Sequence, residues 1–511
     1  MDQISSQATP QWIDSEPERE APLAAAIDLG SNSFHLLMAR RAGGRLTIDE
    51  HLKEVVRLAD LDADNAITPA AMERGLQCLQ RYAQRLRAAQ PVAIRAVGTN
   101  ALRIATNAAD FLAAAEATLG CRVETVSGIE EARLIYLGVC QSLDSGTRRL
   151  VADIGGGSTE LIVGEGARPL QLESLPVGCV SLTQQFFPDG RLDECALQHA
   201  EVAARRELEP VARGYREIGW TEAAGASGTV YAIAAIARSA GWSDGVITPL
   251  VLDRLAAALT SAGRLEDLHL AGLSDDQRPV LPGGLAIMRA LFAGLGIRRL
   301  RLIDGALREG LLHETFARLR DEDVRIDSVR RLAEACRVDM NHAGRVERTA
   351  AALWQQTAPA WSLEAPEYGQ WLRWAAQLHE SGRAIAHSGY HRHGAYIVGH
   401  ADLAGCSQQD QRSVALLIRA HRRALPLALF DEHPQARRDS VFALALLLRL
   451  AVLLHRSRTG LDDSAMRVTA DERTLSVEFP PGWLAVRPLI AADLEEEAGY
   501  WQAAGWTLEF S

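Results

Sequence analysis

The sequence predicts an α/β protein with a duplicated half-domain, followed by an all-helical domain and a small α+β unit at the C-terminal end. Two stretches, 27–38 and 152–163, carry the duplication, because each is an apolar strand, a Gly/Ser turn and a second apolar strand. They match in register, so that Asp28 aligns with Asp153. Beyond about residue 318, long Ala/Leu/Arg segments with helical periodicity replace the alternation of strands and helices.

The duplicated part alternates strands with helices, which is typical of α/β folds. In its first half the apolar pattern predicts strands near 24–29, 34–40, 45–50 and 93–97, and helices near 69–89 and 107–119. In its second half the pattern predicts a strand at 122–126, a helix from Gly128, helices near 193–217 and 228–240, and a strand at 299–303.

Changes of composition along the chain set the predicted domain boundaries. The tail differs from the helical domain, because strand-like segments at 473–479 and 506–510 flank a helix near 488–503. We therefore expect a disordered leader at 1–21, two α/β domains at 22–134 and 135–316, a helical domain at 319–456 and an α+β domain at 457–511.

Composition and charge argue against several classes of protein. The net charge of −11 argues against general nucleic-acid binding. Residues 1–20 lack the basic start and apolar stretch of a secretory signal, so we expect a cytoplasmic protein. The apolar run 441–454 is interrupted by Arg449 and is shorter than the roughly 20 residues that span a bilayer. Lys53 is the only lysine, so all other fixed positive charge is arginine, which suits bidentate phosphate recognition. The alternative, a general preference for arginine codons, explains this usage equally well and is favoured.

The seven cysteines are spread singly, without the paired spacing of a zinc site or a disulfide framework. We expect them to be reduced residues of the core.

The two Gly/Ser turns predict a phosphate site. Without side chains in the way, backbone N–H groups and short hydroxyls can close around an anion. One such turn is usually a plain hairpin. Two in matching register indicate that a phosphoryl group is held between related loops.

Acidic side chains near a phosphate are costly unless they bind a metal or activate water. Ser127 and Glu130 match a capping box, in which the serine caps the helix and the glutamate returns a hydrogen bond. Glu131, in the same first turn, is then free to act as general base on a water molecule. The alternative is that Glu131 only complements the helix dipole.

Other candidates lie around the second loop and after neighbouring strands. Asp153 and Glu160 flank the loop, so a hairpin brings both carboxylates toward one phosphate, where Mg²⁺ fits between them. The alternative for Glu160 is a solvated strand residue. Thr99 and Arg103 follow a strand and can reach a phosphate, unless they form a plain loop with a surface arginine. Gly228 begins a helix, and a helix N-terminus is an anion site.

Five motifs together resemble the exopolyphosphatase/guanosine pentaphosphate phosphohydrolase family. They are DLGSNSFH at 28–35, SGIEEARLI at 127–135, DIGGGSTEL at 153–161, GASGT at 225–229 and DGALREG at 304–310. The resemblance covers nearly the whole chain from about residue 22. It implies two actin-like (ribonuclease-H-type) domains with the active site in the cleft between them, and a homodimer. It also implies Mg²⁺-dependent hydrolysis of the terminal phosphate of inorganic polyphosphate, often aided by K⁺.

The same resemblance assigns roles to residues. It makes Glu131 the catalytic base and gives Asp153 and Glu160 the handling of metal and water. The phosphate-binding residues that it implies are Gly30, Ser31, Asn32, Ser33, Gly156, Gly157 and Ser158.

Within the family the sequence favours an exopolyphosphatase. The three glycines of the second loop, the segment 386–393 and the tail segment 493–501 resemble that branch. The alternative is a guanosine pentaphosphate (pppGpp) 5′-phosphohydrolase, which shares the chemistry and also needs a base pocket for guanosine penta- or tetraphosphate. A long polyanion needs a basic passage, to which Arg205 and Arg206 or arginines of the helical domain contribute. A non-catalytic sensor is disfavoured because Glu131 is present, and a sugar kinase because no acceptor-site motif is visible.

The helical domain resembles the metal-dependent HD phosphohydrolases through His342 and the adjacent His379 and Glu380. Glu380 stands where that fold uses an aspartate, so the geometry of metal ligation differs. Further histidines that could bind metal or phosphate are His387, His391, His393 and His400. We expect an HD-like accessory domain and not a second active site.

Overall fold

The computed structural model describes residues 21–42, 45–140, 146–431, 435–458 and 466–511. The chain divides into two compact units, Met1–Glu322 and Asp323–Ser511. The predicted leader at 1–21 lies outside the described residues, apart from Ala21. The domain boundaries predicted from the sequence are finer than this division, and they stay a prediction.

A five-stranded sheet begins the first unit. Its strands are β1 (Leu23–Leu29), β2 (Ser33–Ala42), β3 (Arg45–Val55), β4 (Ala93–Gly98) and β5 (Val123–Thr125), and its helices are α1 (Pro69–Ala89), α2 (Asn100–Ile104) and α3 (Ala108–Leu119). The spatial order is β3-β2-β1-β4-β5, in which the first three strands are antiparallel and the last two run parallel to β1.

Helix α1 has the predicted bounds because the sequence marks both of its ends. The Thr68 hydroxyl accepts a hydrogen bond from the N–H of Ala71 at 3.3 Å, and Pro69 fits the first helical position. Gln90 takes a left-handed conformation and stops the helix.

The second half of this unit repeats the architecture. Its elements are α4 (Gly128–Cys140), β6 (Arg148–Ile154), β7 (Thr159–Glu165), β8 (Arg168–Leu175), α5 (Cys179–Phe186), α6 (Glu194–Ile218), β9 (Glu222–Gly225), α7 (Gly228–Ser239), α8 (Pro249–Ala262), a 3₁₀ turn (Arg278–Val280), α9 (Leu281–Leu295), β10 (Arg301–Leu302) and α10 (Leu307–Arg318). The strand order is β10-β9-β6-β7-β8.

The two sheets are equivalent strand by strand. When β6 to β10 are matched to β1 to β5, the order, the directions and the register agree. In β1 and β2, Asp28 pairs with His35, and in β6 and β7, Asp153 pairs with Glu160. Each half is therefore a ribonuclease-H-type sheet, and the predicted pair of actin-like domains is confirmed.

The second unit is helical, with a small sheet at its end. Its elements are α11 (Val324–Ala335), α12 (Met340–Thr357), α13 (Pro366–Leu378), a 3₁₀ turn (Ser381–Ala384), α14 (Tyr390–His400), α15 (Gln408–Ala420), α16 (Leu427–Phe430), α17 (Gln435–Leu454), β11 (Arg467–Asp471), β12 (Thr474–Glu478), α18 (Pro488–Ala503) and β13 (Thr507–Phe510). One hydrophobic core joins the helices and the sheet, and in it Trp361 meets Trp506 edge to face at 5.2 Å.

Some sequence predictions of local structure were wrong. The strand predicted at 299–303 is only Arg301–Leu302. Asn100 to Ile104 form the short helix α2, and the predicted alternative of a plain loop does not hold there. Of the cysteines, Cys195 is exposed, and Cys121 and Cys140 are half-buried, so the expectation of seven core cysteines holds for four of them.

Over the part of the chain that the structure describes, the helices all fall short of the length or apolar character that crossing a bilayer demands. The apolar run at 441–454 lies in α17, whose residues from Val441 onward are largely buried in the core of the second unit.

Candidate active site

A cavity of about 390 Å³ lies in the first unit, where the two duplicated loops meet. Residues of both sheets and of helices α4, α7 and α10 line it. Of the site residues predicted from the sequence, Arg103 alone does not line this cavity. Those that line it are Gly30, Ser31, Asn32, Ser33, Thr99, Glu131, Asp153, Gly156, Gly157, Ser158, Glu160 and Gly228.

The glycines of the second loop are needed because the two loops pack against each other. A Cβ atom on Gly156 would lie 3.0 Å from the Cβ of Ser31 in the first loop. A Cβ atom on Gly157 would lie 2.2 Å from the side-chain oxygen of Asn100, at the start of α2. The close approach leaves room for backbone around a ligand and none for side chains.

Two helix N-termini also border the cavity. Ser227 caps α7, since its hydroxyl accepts a hydrogen bond from the N–H of Val230 at 3.4 Å, and Gly228 and Thr229 follow it along the cavity wall. The first turn of α10 contributes Arg308. The positive ends of both helix dipoles therefore favour an anion in the cavity.

Four carboxylates line the cavity, namely those of Asp28, Glu131, Asp153 and Glu160. Glu160 is 1% exposed and accepts a hydrogen bond from the Ser174 hydroxyl at 2.8 Å, and Glu131 is 8% exposed. Burial raises the pKa of Glu160 well above its usual value, and Glu131 and Asp153 raise it further. Burial and Glu131 raise the pKa of Asp153 to about 7. Burial also raises the pKa of Asp28 to about 7, although Arg308 acts against it.

This donor set suits a hard divalent cation. Oxygen ligands from carboxylates are what Mg²⁺ prefers. Burial is the main cause of the raised pKa values of Asp28 and Asp153, and Glu131 raises both further, so a bound cation would favour their charged forms. The Oδ1 atom of Asp28 is also buried without a hydrogen-bond partner among the described residues. Asp153 and Glu160 therefore offer carboxylate oxygens of the kind that Mg²⁺ takes, and Asp28, which was not predicted as a ligand, offers another.

Glu131 is held by Arg103. The guanidinium donates to a Glu131 carboxylate oxygen at 2.6 Å and to the carbonyl of Val126 at 3.2 Å. Arg103 lines a second cavity of about 270 Å³, which shares Asn100 and Ser158 with the first. The structure gives Arg103 the partner Glu131, and its predicted contact with a phosphate stays a prediction.

Of the two hydrogen bonds that make up the predicted capping box, the structure has the one to Ser127. The Ser127 hydroxyl accepts a hydrogen bond from the N–H of Glu130 at 3.1 Å, which caps α4. The Glu130 carboxylate does not return that bond, since it accepts two hydrogen bonds from Arg133 at 2.7 and 2.8 Å. Charge pairing within the helix outcompetes the reciprocal cap.

A buried ion network fixes α4 and α10. Glu314 on α10 is 3% exposed and accepts hydrogen bonds from Arg95 and Arg318, both at 2.6 Å, and from Arg133 on α4. Burial alone would raise the pKa of Glu314, but the three guanidinium groups outweigh it and hold that pKa well below its usual range. The network thus locks the helices that carry Glu131 and Arg308.

Basic groups also line the cavity, and the sequence analysis did not predict them. They are His35, His51, Lys53 and Arg308. Arg308 and His35 are joined by a hydrogen bond of 2.7 Å. The signal was available, because His35 follows Asp28 by the same seven positions that separate Glu160 from Asp153. Arg205 and Arg206, proposed for a basic passage, instead lie exposed on α6 and do not line this cavity.

The HD-like residues lie together in the second unit. Ligand atoms of His342, His379 and Glu380 lie within 4.8 Å of one another, and all three residues are buried. Glu380 accepts hydrogen bonds from Arg383, at 2.9 Å, and from Arg458. Of the other histidines, His391 is buried, while His387 and His400 are exposed and His393 is half-buried. The guanidinium groups of Arg383 and Arg458 neutralise the charge of Glu380. The expectation that this is an accessory domain and not a second active site stays a prediction.

Comparison with known proteins gives the family. A model of the Ppx/GppA phosphatase family matches residues 37–319, and a model of domain III of that family matches residues 324–498. The chain therefore belongs to the Ppx/GppA phosphatase family, and the resemblance drawn from the five motifs is confirmed.

The chain is similar to one protein in sequence along nearly its whole length and to two solved structures along part of it. A protein of Aeromonas hydrophila, named guanosine-5′-triphosphate,3′-diphosphate pyrophosphatase, is 39% identical over 488 residues, which cover 95% of this chain and 98% of the relative. An exopolyphosphatase of Cytophaga hutchinsonii has a TM-score of 0.53 and 23% identity, and covers 57% of this chain and 97% of its own. An exopolyphosphatase-like protein has a TM-score of 0.53 and 22% identity over 59% and 99% of the two chains. The two structures support the fold alone.

Proposed function

We propose that this phosphatase is a guanosine pentaphosphate 5′-phosphohydrolase, which releases the terminal 5′ phosphate of the nucleotide. The observation that carries the chemistry is the position of Glu131, buried in a cavity that two phosphate loops and Asp153 and Glu160 also line. The substrate rests on the Aeromonas relative, which matches along 95% of the chain. This reverses the order of the two activities favoured by the sequence motifs.

Glu131 is proposed as the general base. It accepts a proton from water as the water oxygen forms a bond to the terminal phosphorus. The bond from that phosphorus to the bridging oxygen breaks, and the bridging oxygen keeps the electron pair on guanosine tetraphosphate. Arg103 holds the carboxylate in place through its 2.6 Å hydrogen bond, so that the base need not be ordered during the reaction.

The loops and helix ends are proposed to bind the phosphate oxygens. Backbone N–H groups near Gly156 and Gly157, with the N-terminal end of α7, supply partial positive charge at fixed positions. Mg²⁺, held by Asp153 and Glu160, would neutralise phosphate oxygens as charge shifts. Activation by K⁺, a homodimeric state and a cytoplasmic location also stay proposals drawn from the sequence.

Exopolyphosphatase activity is the second candidate. The segment 386–393 and the Gly155 to Gly157 run resemble that branch of the family. Both reactions cleave a terminal phosphoanhydride, so the same carboxylates and loops serve either substrate.

Phosphate release by the wild-type protein with Mg²⁺ separates the two activities. Initial rates would be compared for guanosine pentaphosphate, long-chain polyphosphate and GTP, with GTP as the control that lacks the 3′ diphosphate. We expect kcat/KM to be highest for guanosine pentaphosphate. A higher value for polyphosphate would give the assignment to the second candidate, and release from neither would contradict both.

A further inference from the structure

The duplicated sheets place equivalent rows of side chains near the same cavity, and these rows differ in charge. In the first sheet Asp28 pairs with His35, and His35 pairs with Lys53 on the next strand. In the second sheet Asp153 pairs with Glu160, and Glu160 pairs with Ser174. After the aspartate, the row of the first sheet has an imidazole and an ammonium group, whereas the row of the second sheet has a carboxylate and a hydroxyl group. After duplication, the two halves have acquired different chemistry.

The fixed positive charge at this row belongs to Lys53 and to Arg308 on α10. The Arg308 guanidinium and a ring nitrogen of His35 are joined by a hydrogen bond of 2.7 Å, which orients the guanidinium. The ring of His51 stacks on His35 with centroids 5.7 Å apart. The two imidazoles therefore support the cationic groups.

Lys53 lies toward solvent, whereas the carboxylates are buried. Lys53 and His51 are exposed residues of β3, while Glu131 and Glu160 are 8% and 1% exposed. Within the described residues, the ammonium group of Lys53 makes no hydrogen bond or ion pair. Lys53 and Glu131 line the same cavity, so a phosphate chain whose terminal group reaches Glu131 enters a space that Lys53 borders.

Position 53 is also unusual in being a lysine and not an arginine. Lys53 is the only lysine among 54 lysines and arginines. A general preference for arginine explains the arginines, but it cannot explain a lysine at the cavity wall. Lysine differs from arginine in being a compact, strongly hydrated point charge on a flexible stem. Such a group can follow an oxygen whose charge grows during the reaction.

We propose that Lys53, with Arg308, binds the leaving-group phosphates, while the acidic row and Glu131 handle cation and water. This rests on the proposed hydrolysis of a terminal phosphate. As the bond between the terminal phosphorus and the bridging oxygen breaks, the electron pair stays on that oxygen. The ammonium of Lys53 is then the counter-charge for the diphosphate end that departs.

A single lysine allows a direct test by chemical labelling. Reductive methylation of the Glu131→Gln variant, followed by peptide mass spectrometry, would measure the labelling rate at Lys53 with the N-terminal amine as internal control. We expect guanosine pentaphosphate or polyphosphate to slow labelling of Lys53 at least about tenfold and to leave the N-terminal amine unchanged. Equal labelling of Lys53 with either substrate at saturation would overturn the proposal. Since labelling needs no turnover, protection without hydrolysis by the wild type would refute the proposed function alone.

Kinetics of charge-removing variants provide the second test. For Lys53→Met we expect kcat/KM to fall by about 10- to 100-fold, with kcat itself lowered, because a hydrogen bond to a charged group is lost. Arg45→Met is the matched control, since Arg45 is an exposed cation at the other end of β3. A Lys53→Met enzyme with the kinetics of Arg45→Met would contradict the role of Lys53. Lys53→Arg keeps the charge and is expected to recover KM more fully than kcat.

Discussion

Removing the charge of Glu314 should destabilise the first unit. In Glu314→Gln, three guanidinium groups lose their common carboxylate in a site where Glu314 is 3% exposed. Breaking a buried ion pair from one side costs about 3–5 kcal/mol. Glu124 and Glu130 still neutralise part of the charge on Arg95 and Arg133, so the lower end of that range is expected.

Calorimetry of the full chain measures this effect. A loss of about 3–5 kcal/mol lowers Tm by roughly 4–8 °C in a unit the size of Met1–Glu322, because the entropy of unfolding is about 2.1 cal/mol/K per residue. Glu217→Gln is the control, because Glu217 forms an exposed i,i+4 pair with Arg213 and its loss should cost less than about 0.5 kcal/mol. Equal melting temperatures of the two variants would refute the view that the network locks α4 and α10.

The pH dependence gives an independent check. The pKa of Glu314 is lower in the folded than in the unfolded protein, so its contribution to stability is present above its unfolded value and is lost as the pH falls toward the folded value. We expect the difference in Tm between wild type and Glu314→Gln to be full at pH 7 and to shrink below about pH 4. A difference that grew at low pH would contradict this assignment.

Three further predictions concern the site and the second unit. Gly157→Ala places a Cβ atom 2.2 Å from Asn100 and should lower kcat/KM at least about tenfold, whereas Gly499→Ala, which meets nothing within 4 Å, should not change it. Asp153→Asn should raise the Mg²⁺ concentration for half-maximal activity at least about tenfold in a titration, and an unchanged titration would remove Asp153 from the metal site. His379→Gln, checked for folding by circular dichroism, should keep wild-type phosphate release, and loss of release from a folded variant would place catalysis in the second unit.

The sequence predicted the duplicated strand and loop units correctly. The matching loops contained Asp28 and Asp153 at equivalent positions, and the structure places them at equivalent points of two equivalent sheets. The apolar pattern also predicted a helix near 69–89, and the structure has α1 there, with Thr68 and Gln90 at its ends. Local signals of this type act over a few residues and can be read from sequence alone.

The sequence did not reveal contacts between side chains that are far apart along the chain and that folding brings together. Arg103 follows β4, and only the packing of α4 shows that it holds Glu131. Glu130 fitted a capping box, but the neighbouring Arg133 provides a stronger charged partner. Lys53 was not predicted as a site residue, because only the register of β2 and β3 places it beside His35.

The central claim is that Glu131 is the general base of a terminal phosphate hydrolase. The most direct measurement compares wild type and Glu131→Gln in Mg²⁺, using rates of phosphate release from guanosine pentaphosphate and polyphosphate and calorimetric binding of the same substrates. We predict that the variant binds substrate but hydrolyses it about 10²- to 10⁴-fold more slowly. Undiminished hydrolysis by Glu131→Gln would contradict the claim and direct the search for the base to His342, His379 and Glu380.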